Sequence, residues 1–90
     1  MKLLFCSYCG DVVKLQRETP RYCDCGKCWG HYERDGAHAT VSEHAQVIGI
    51  DNHTLRRAID AQGLSHPDSG YRTLAAWVMG KDAPRVKWSR

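Results

Sequence analysis

The sequence contains no long apolar run, only three prolines and a single phenylalanine. None of its apolar runs approaches the ~18 residues that a membrane-spanning helix needs. The chain begins with a short apolar stretch, Leu3 to Phe5, before Cys6, whereas the apolar region of a signal peptide has roughly 7–15 residues. We therefore expect a cytoplasmic protein that does not contact a membrane.

Sequence motifs of the common enzyme classes are also absent. There is no His-Glu-x-x-His motif, no glycine-rich phosphate loop and no Gly-x-Ser-x-Gly motif. A catalytic zinc keeps one position open for water beside about three protein ligands, whereas this chain offers more thiols than one zinc can bind. A redox Cys-x-x-Cys pair needs a βαβ context, and Asp11-Val12-Val13 after the first pair favours a strand instead. We predict a protein that is not an enzyme and has no small-molecule substrate.

Size and charge limit the fold further. A chain of 90 residues buries only about 60% of its unfolded surface, so such a domain usually needs disulfides, a metal or a partner subunit. Residues 1–45 carry six basic and six acidic side chains and residues 46–90 carry seven and four, which gives the net charge of +3. A balance this weak does not by itself indicate nucleic acid. We predict one domain over residues 1–80 and a basic tail over 81–90.

Five cysteines lie in the first third of the chain: Cys6, Cys9, Cys23, Cys25 and Cys28. Clustered cysteines in a cytosolic protein usually indicate a metal site or catalysis, and an odd number argues against a closed disulfide framework. Two cysteines on one tight turn can point both sulfurs inward, and two such turns supply the four ligands of a tetrahedral structural zinc. We predict Zn²⁺ at this site, in preference to a redox-active or inert cluster or an iron–sulfur centre.

Five sulfurs compete for four ligand positions. Cys6 and Cys9 form the first pair. The two-residue gap between Cys25 and Cys28 favours these residues as the second pair. The glycine after Cys25, however, repeats the glycine after Cys9, which favours Cys23 with Cys25. The residue types therefore do not decide whether Cys23 or Cys28 is the fourth ligand.

The pattern of the rest of the chain predicts an α+β fold with an antiparallel sheet of four to six strands and one helix. Alternating and β-branched residues predict strands over residues 2–5, 11–15, 29–33 and 37–41. Residues 73–79 suit a strand or a short helix, and the glycine that follows Met79 favours the strand. A capped amphipathic segment predicts a helix over 52–62 that ends at Gly63, and residues 66–70 are predicted to form a loop. The residues expected to pack this helix on the sheet are Leu55, Ala58 and Ile59.

A family resemblance rests on four short motifs: Cys6-x-x-Cys9-Gly10-Asp11-Val12-Val13, Arg21-Tyr22-Cys23-x-Cys25-Gly26, Gly30-x-Tyr32 and Gly49-x-Asp51-Asn52. Over about residues 3 to 59 the chain resembles a group of short bacterial and phage-associated proteins of uncharacterised function, which are similar in kind to zinc ribbons. The resemblance implies a small antiparallel sheet with one helix, and no activity. It also implies Cys6, Cys9, Cys23 and Cys25 as ligands. Cys28 departs from the pattern and remains the alternative to Cys23.

These features predict a zinc-stabilised binding module whose partner is a protein. Tyrosine, tryptophan and arginine are enriched at interface hot spots. We expect Trp29 and Trp77 to lie in the core, and Tyr8 and Trp88 to be exposed and available to a partner. The resemblance implies an accessory or inhibitory factor of a bacterial or phage machine.

The alternative function is a helix-turn-helix regulator of DNA or RNA over residues 42–62. In that arrangement Gly49 makes the turn, and Arg56 and Arg57 contact the nucleic acid. The strand-like residues 47–50 argue against it. The two functions differ in the predicted structure of residues 43–48, which are helical only in the second.

Overall fold

The computed structural model describes residues 1–64 and 72–89, so the predicted loop over 66–70 lies outside the described residues. The elements are β1 (Lys2–Phe5), β2 (Val12–Lys14), β3 (Arg21–Tyr22), β4 (Trp29–Tyr32), β5 (Ala39–Ser42), β6 (Gln46–Ile50), α1 (Asn52–Leu64), β7 (Ala76–Val78) and β8 (Val86–Ser89). The predicted α+β class is confirmed. The expectation of a single sheet of four to six strands is wrong, because the described residues form eight strands divided between two sheets.

Each sheet has four strands. The first sheet has the order β2-β1-β6-β7 and is antiparallel throughout. The second sheet has the order β3-β4-β5-β8, and β8 runs parallel to β5 beside the antiparallel pairs. The chain enters the second sheet after β2 and returns to the first sheet at β6, so the two sheets are built from interleaved segments.

The core lies between one face of each sheet. Leu4 of β1 is paired with Val47 of β6, and both are fully buried together with Val41 of β5. Gly30 of β4 is opposite Val41, and a side chain placed there would touch Leu4 of the other sheet. Alternation along each strand therefore directs one apolar set inward from both sheets.

Residues 46–50 form a strand rather than a helix. β6 pairs with β1 on one side and with β7 on the other, and the chain turns at residues 43–44 just before it. The first helix of the helix-turn-helix arrangement is therefore not formed. Val47 and Gly49 of this central strand are both buried. The Trp77 ring lies where a side chain at Gly49 would be, so a glycine suits that position.

The predicted basic tail over residues 81–90 is corrected by the structure. Val86–Ser89 form β8, and Val86 belongs to the buried core. Trp88, expected to be exposed, is half-buried and donates a hydrogen bond from Nε1 to the carbonyl oxygen of Ala45 at 2.9 Å. The alternation of apolar and polar residues in this segment is a strand signal that the basic charge obscured.

The helix begins where the sequence predicts. The Asp51 carboxylate accepts hydrogen bonds from the backbone N–H groups of His53 and Thr54 at 3.4 and 3.3 Å, which is the role of a helix cap. Gly63 lies inside α1 rather than beyond its end. The helix residues Leu55 and Ala58 are half-buried.

Two large apolar side chains are less buried than the sequence pattern predicts. Ile59 of α1 is exposed instead of packed on the sheet. Trp77 is 47% exposed because it belongs to β7, the outermost strand of the first sheet, and its ring lies over Gly49 at the border of the core. Sequence periodicity predicts which face of a strand or helix carries a residue, but it does not predict which strand lies at the edge of the sheet.

The close contact between the sheets at Gly30 predicts a strong effect of Gly30→Ala. The new Cβ would lie 2.9 Å from Val41 Cγ1 and 3.1 Å from Leu4 Cδ1, so we expect a loss of about 1–3 kcal/mol in the free energy of unfolding. Gly63→Ala is the matched control: no atom lies within 4 Å of its new Cβ, and alanine in a helix should raise stability by up to ~1 kcal/mol. Chemical denaturation measures both; equal effects would contradict the packing described.

Candidate metal centre

The first cysteine turn connects β1 to β2 in the first sheet. The Cys6 N–H donates to the Asp11 carbonyl at 3.0 Å, and the Gly10 N–H donates to the Cys6 carbonyl at 2.8 Å. Gly10 has φ of 76°, a left-handed conformation that glycine adopts without steric cost. The sequence Cys6-x-x-Cys9-Gly10 therefore closes a tight turn that carries both sulfurs.

The second cysteine turn connects β3 to β4 in the second sheet and repeats this design. The Cys23 N–H donates to the Cys28 carbonyl at 2.9 Å, and the Gly26 N–H donates to the Cys23 carbonyl at 3.0 Å. Gly26 has φ of 78°, as Gly10 does in the first turn. The glycine after Cys25 thus has the same role as the glycine after Cys9.

The two turns meet at one end of the two sheets. The backbone N–H of Asp24 in the second turn donates to Asp11 Oδ2 beside the first turn at 2.9 Å. Four sulfur atoms lie within 4.8 Å of one another, those of Cys6, Cys9, Cys23 and Cys25. Cys6 and Cys23 are buried, whereas Cys9 and Cys25 are exposed.

The sulfur geometry fits a tetrahedral ion. With a zinc–sulfur distance of about 2.3 Å, the sulfurs of a regular tetrahedron lie about 3.8 Å apart. The Cys6 and Cys25 sulfurs are 3.7 Å apart, and those of Cys23 and Cys25 are 3.5 Å apart. The four cysteines could therefore hold a metal ion with little movement.

The protonation equilibria of the cluster also suit a cation. Burial of the Cys6 sulfur disfavours its thiolate, but the backbone N–H groups of Cys9 and Tyr8 and the neighbouring thiols outweigh burial and lower the Cys6 pKa to about 6. At Cys25 the backbone N–H of Lys27 favours the thiolate, yet desolvation and the hydrogen bonds to neighbouring sulfurs raise its pKa to about 12. The Cys6 thiolate therefore forms easily, and its negative charge disfavours a second thiolate beside it. A bound cation removes this repulsion between the thiolates.

Cys28 is not one of the four converging cysteines. Its backbone N–H donates to the Cys23 sulfur at 3.3 Å, so it stabilises a candidate ligand through the main chain. Its own side chain is fully buried, and burial, together with the adjacent Cys6, raises the Cys28 pKa to about 11. The structure therefore brings Cys23, rather than its alternative Cys28, into the group.

Tyr8 projects from the first cysteine turn beside the cluster. It is 56% exposed, as expected. The Nζ atom of Lys27, in the second turn, lies 4.7 Å from the centre of the Tyr8 ring, and the His44 ring makes an edge contact with it at 6.5 Å. The sequence pattern identified Tyr8 but neither neighbour; only the tertiary structure shows that these three residues are together.

The other predicted partner-binding residues do not gather around one point. Arg56 and Arg57 are exposed on α1, and Arg56 Nε lies 3.3 Å from the Asp60 carboxylate one helical turn later. Trp88 is half-buried in β8, with Lys81 Nζ 4.7 Å from the centre of its ring. Arg56 and Trp88 therefore each contact a residue of this chain, in two different parts of the fold.

Comparison of the chain with protein-family models, with curated proteins and with solved structures finds no match. Within residues 1–64 and 72–89, no helix is both long and apolar enough to cross a membrane.

The geometry predicts different outcomes for two neighbouring cysteine variants. Cys23→Ser removes one of the four converging sulfurs and should sharply lower the metal retained per chain. Cys28→Ser should retain the metal content of the unaltered chain, because its sulfur lies outside the group. Elemental measurement after gel filtration, and the visible spectrum of the Co²⁺-loaded protein, test this. Retention by Cys23→Ser with loss in Cys28→Ser would assign the fourth position to Cys28.

Proposed function

We propose that Cys6, Cys9, Cys23 and Cys25 bind one structural Zn²⁺ and that the domain thus stabilised is a non-enzymatic module that recognises a protein. The observation that carries this proposal is the convergence of four sulfurs from two turns of like design. Thiolate ligands in a tetrahedral arrangement favour zinc among the common biological metals.

A structural role follows from where the two cysteine pairs lie. One pair belongs to the first sheet and the other to the second, so a shared ion would link the two sheets at one end. The core between them is small: its largest fully buried side chains are Leu4, Val41, Val47, Cys6 and Cys28. A domain with so little buried volume needs such a link.

The donor set supports a structural ion over a catalytic one. Four thiolates fill a tetrahedron and leave no position for the water that a catalytic zinc activates. Among the residues that the structure describes, the candidate ligand group contains cysteines alone, with no histidine or carboxylate. We place the protein in the cytoplasm, because a reducing compartment keeps such thiols free to bind metal.

The structural role is tested with Cys9→Ser. Losing one ligand should lower metal content and stability together, by more than about 4 kcal/mol, since loss of a metal is among the few causes of so large an effect. Thermal unfolding followed by circular dichroism, with metal content measured on the same sample, gives both quantities. A Cys9→Ser protein that lacks metal but melts like the unaltered chain would refute the structural role.

A protein partner is supported by the surface beside the metal centre. The exposed Tyr8 ring has Lys27 Nζ 4.7 Å from its centre and the His44 ring edge-on at 6.5 Å, and these contacts reduce the rotational freedom that the ring would lose when a partner covers it. An aromatic anchor next to a cation is typical of interface hot spots. The resemblance to short bacterial and phage-associated proteins supports an accessory or inhibitory factor of a bacterial or phage machine.

We do not extend the proposal to the helix-turn-helix alternative. That function requires a helix over residues 43–48, and Gln46–Ile50 form a central strand of the first sheet. Arg56 and Arg57 remain exposed on α1, but a single helix with an internal ion pair does not distinguish a nucleic-acid contact from an ordinary solvated surface.

The protein-recognition surface is tested with Tyr8→Ala. We expect at least a roughly tenfold loss of affinity for the partner captured from host lysate, as hot-spot residues give, with unchanged metal content and melting temperature. Tyr22→Ala is the matched control, because Tyr22 is also an exposed tyrosine, 60% exposed on β3. Equal binding by Tyr8→Ala and the unaltered chain would remove Tyr8 from the interface.

A further inference from the structure

The strands of the second sheet direct alternate side chains away from the core. Gly30 and Val41 face the core, so the residues that alternate with them lie on the opposite, outer face of the sheet. The paired registers extend this face across all four strands. The outer face of the second sheet carries Tyr22 of β3, Trp29 and His31 of β4, Thr40 of β5 and Lys87 of β8.

Three aromatic rings are neighbours on this face. Tyr22 lies directly opposite Trp29 in the antiparallel register and is 60% exposed. Trp29, which the sequence pattern placed in the core, is half-buried because it points to the outer face. The rings of Trp29 and His31 lie nearly parallel, with 8° between their planes and 6.2 Å between their centres. The ring contacts among the described residues do not involve Tyr22, so its ring is open to a ligand.

Two cations lie on the other side of the same face. Lys87 is paired with Thr40 in the parallel register, and Arg85 is the residue just before β8. Both cations are exposed, and the ion pairs among the described residues involve neither of them. Together with Thr40 and His38 they line a cleft of about 440 Å³. Lysine and arginine side chains that lack a carboxylate partner are suited to bind phosphate groups.

The acidic residue of this cleft is Glu33. Its carboxylate accepts a hydrogen bond from the Thr40 hydroxyl, and Glu33 follows the end of β4, four residues from Trp29. The cleft therefore has two positive charges and one negative charge, so its attraction for an anion is modest. A ligand that binds to the outer face must gain most of its affinity from the rings.

We propose that the outer face of the second sheet binds single-stranded nucleic acid, with bases stacked on Tyr22 and Trp29 and phosphates facing Lys87 and Arg85. A duplex does not fit, because its bases are stacked on one another and cannot lie on these rings. Neighbouring strands are ~4.8 Å apart, so about 14 Å separates β3 from β8 in the four-stranded order. The nucleic-acid strand therefore crosses the sheet from the rings to the cations.

The chemistry of the two outer faces favours this ligand over a protein. By the same alternation, the outer face of the first sheet carries the apolar side chains of Leu3, Phe5, Ile48 and Val78, and such a face suits a protein. The outer face of the second sheet instead combines rings with cations, which match the bases and phosphates of a single strand. These residues lie on other strands than the turn that carries Tyr8, so the site is additional to the proposed protein-recognition surface.

Fluorescence anisotropy tests the proposal on the full chain with its metal, using labelled oligonucleotides of about ten nucleotides. We expect Kd below ~100 μM at low salt for oligo(dT) or oligo(rU), and the stronger of the two identifies DNA or RNA as the ligand. A duplex of the same length should bind at least ~10-fold more weakly, because its bases are not available to the rings. Two phosphate contacts predict a slope of about −1.4 for the logarithm of affinity against that of salt concentration.

The ring and the charge are tested by separate variants. Tyr22→Ala should weaken binding by about 5- to 140-fold, the loss that one stacked base gives, whereas Tyr22→Phe keeps the ring and should bind like the unaltered chain. Lys87→Ala should reduce the salt slope to about −0.7. Lys14→Ala is the matched control, because Lys14 is an exposed lysine paired with Leu3 on the outer face of the first sheet, and it should leave the slope unchanged.

The melting temperature and metal content of each variant show whether it is folded. No binding of either single strand, equal binding of the duplex, or equal effects of Lys87→Ala and Lys14→Ala would each overturn the proposal. Normal oligonucleotide binding by Tyr22→Ala, or binding by Tyr22→Phe as weak as that of Tyr22→Ala, would also overturn it. If Tyr22→Ala lowers affinity only for the protein captured from host lysate, the outer face belongs to the protein interface and the proposal is again wrong.

Discussion

Four cysteine sulfurs come together where two separate sheets meet, and the proposed metal at this point would join those sheets. Cys6 and Cys9 lie on a turn of the first sheet, and Cys23 and Cys25 lie on a turn of the second. Neither turn alone can complete a tetrahedron. Their sulfurs are spaced at nearly the distances that a tetrahedral ion imposes. The proposed zinc would therefore determine how the sheets are placed at the end where the two cysteine turns meet.

The small core explains the distribution of the aromatic residues. Between the sheets, a side chain at Gly30 would collide with Val41, Leu15 and Leu4, and Tyr32 and Trp88 pack against the core from its border. Trp77 remains at the sheet edge and Tyr8 at the cysteine turn. A domain stabilised by a metal, as proposed for this one, can leave aromatic side chains on its surface, where they are available to partners. The exposure of Tyr8 at the proposed protein-recognition surface is consistent with this small core.

Local patterns predicted the local structure well, and failed where position in the sheet mattered. The cysteine turns, the glycine that follows each of them and the capping of α1 by Asp51 depend on a few neighbouring residues. Residues 43–48 were ambiguous because a short apolar run suits a strand or a helix equally. The pairing of β6 with β1, in which Gln46 lies opposite Phe5, resolved the ambiguity. Long-range pairing with β5 likewise forms β8 from a segment whose basic charge predicted a tail.

By itself, the sequence determined the chemistry available to this protein: five thiols in two glycine-containing turns, strand-forming segments and one capped helix. These properties arise from covalent spacing and backbone preference, which neighbouring residues specify. Only the tertiary structure decided which four sulfurs converge, that Cys28 supports Cys23 through a backbone hydrogen bond, and that β7 lies at the edge of the first sheet. Those outcomes depend on strand order and on the packing of one sheet against the other, which bring together residues that the sequence keeps far apart.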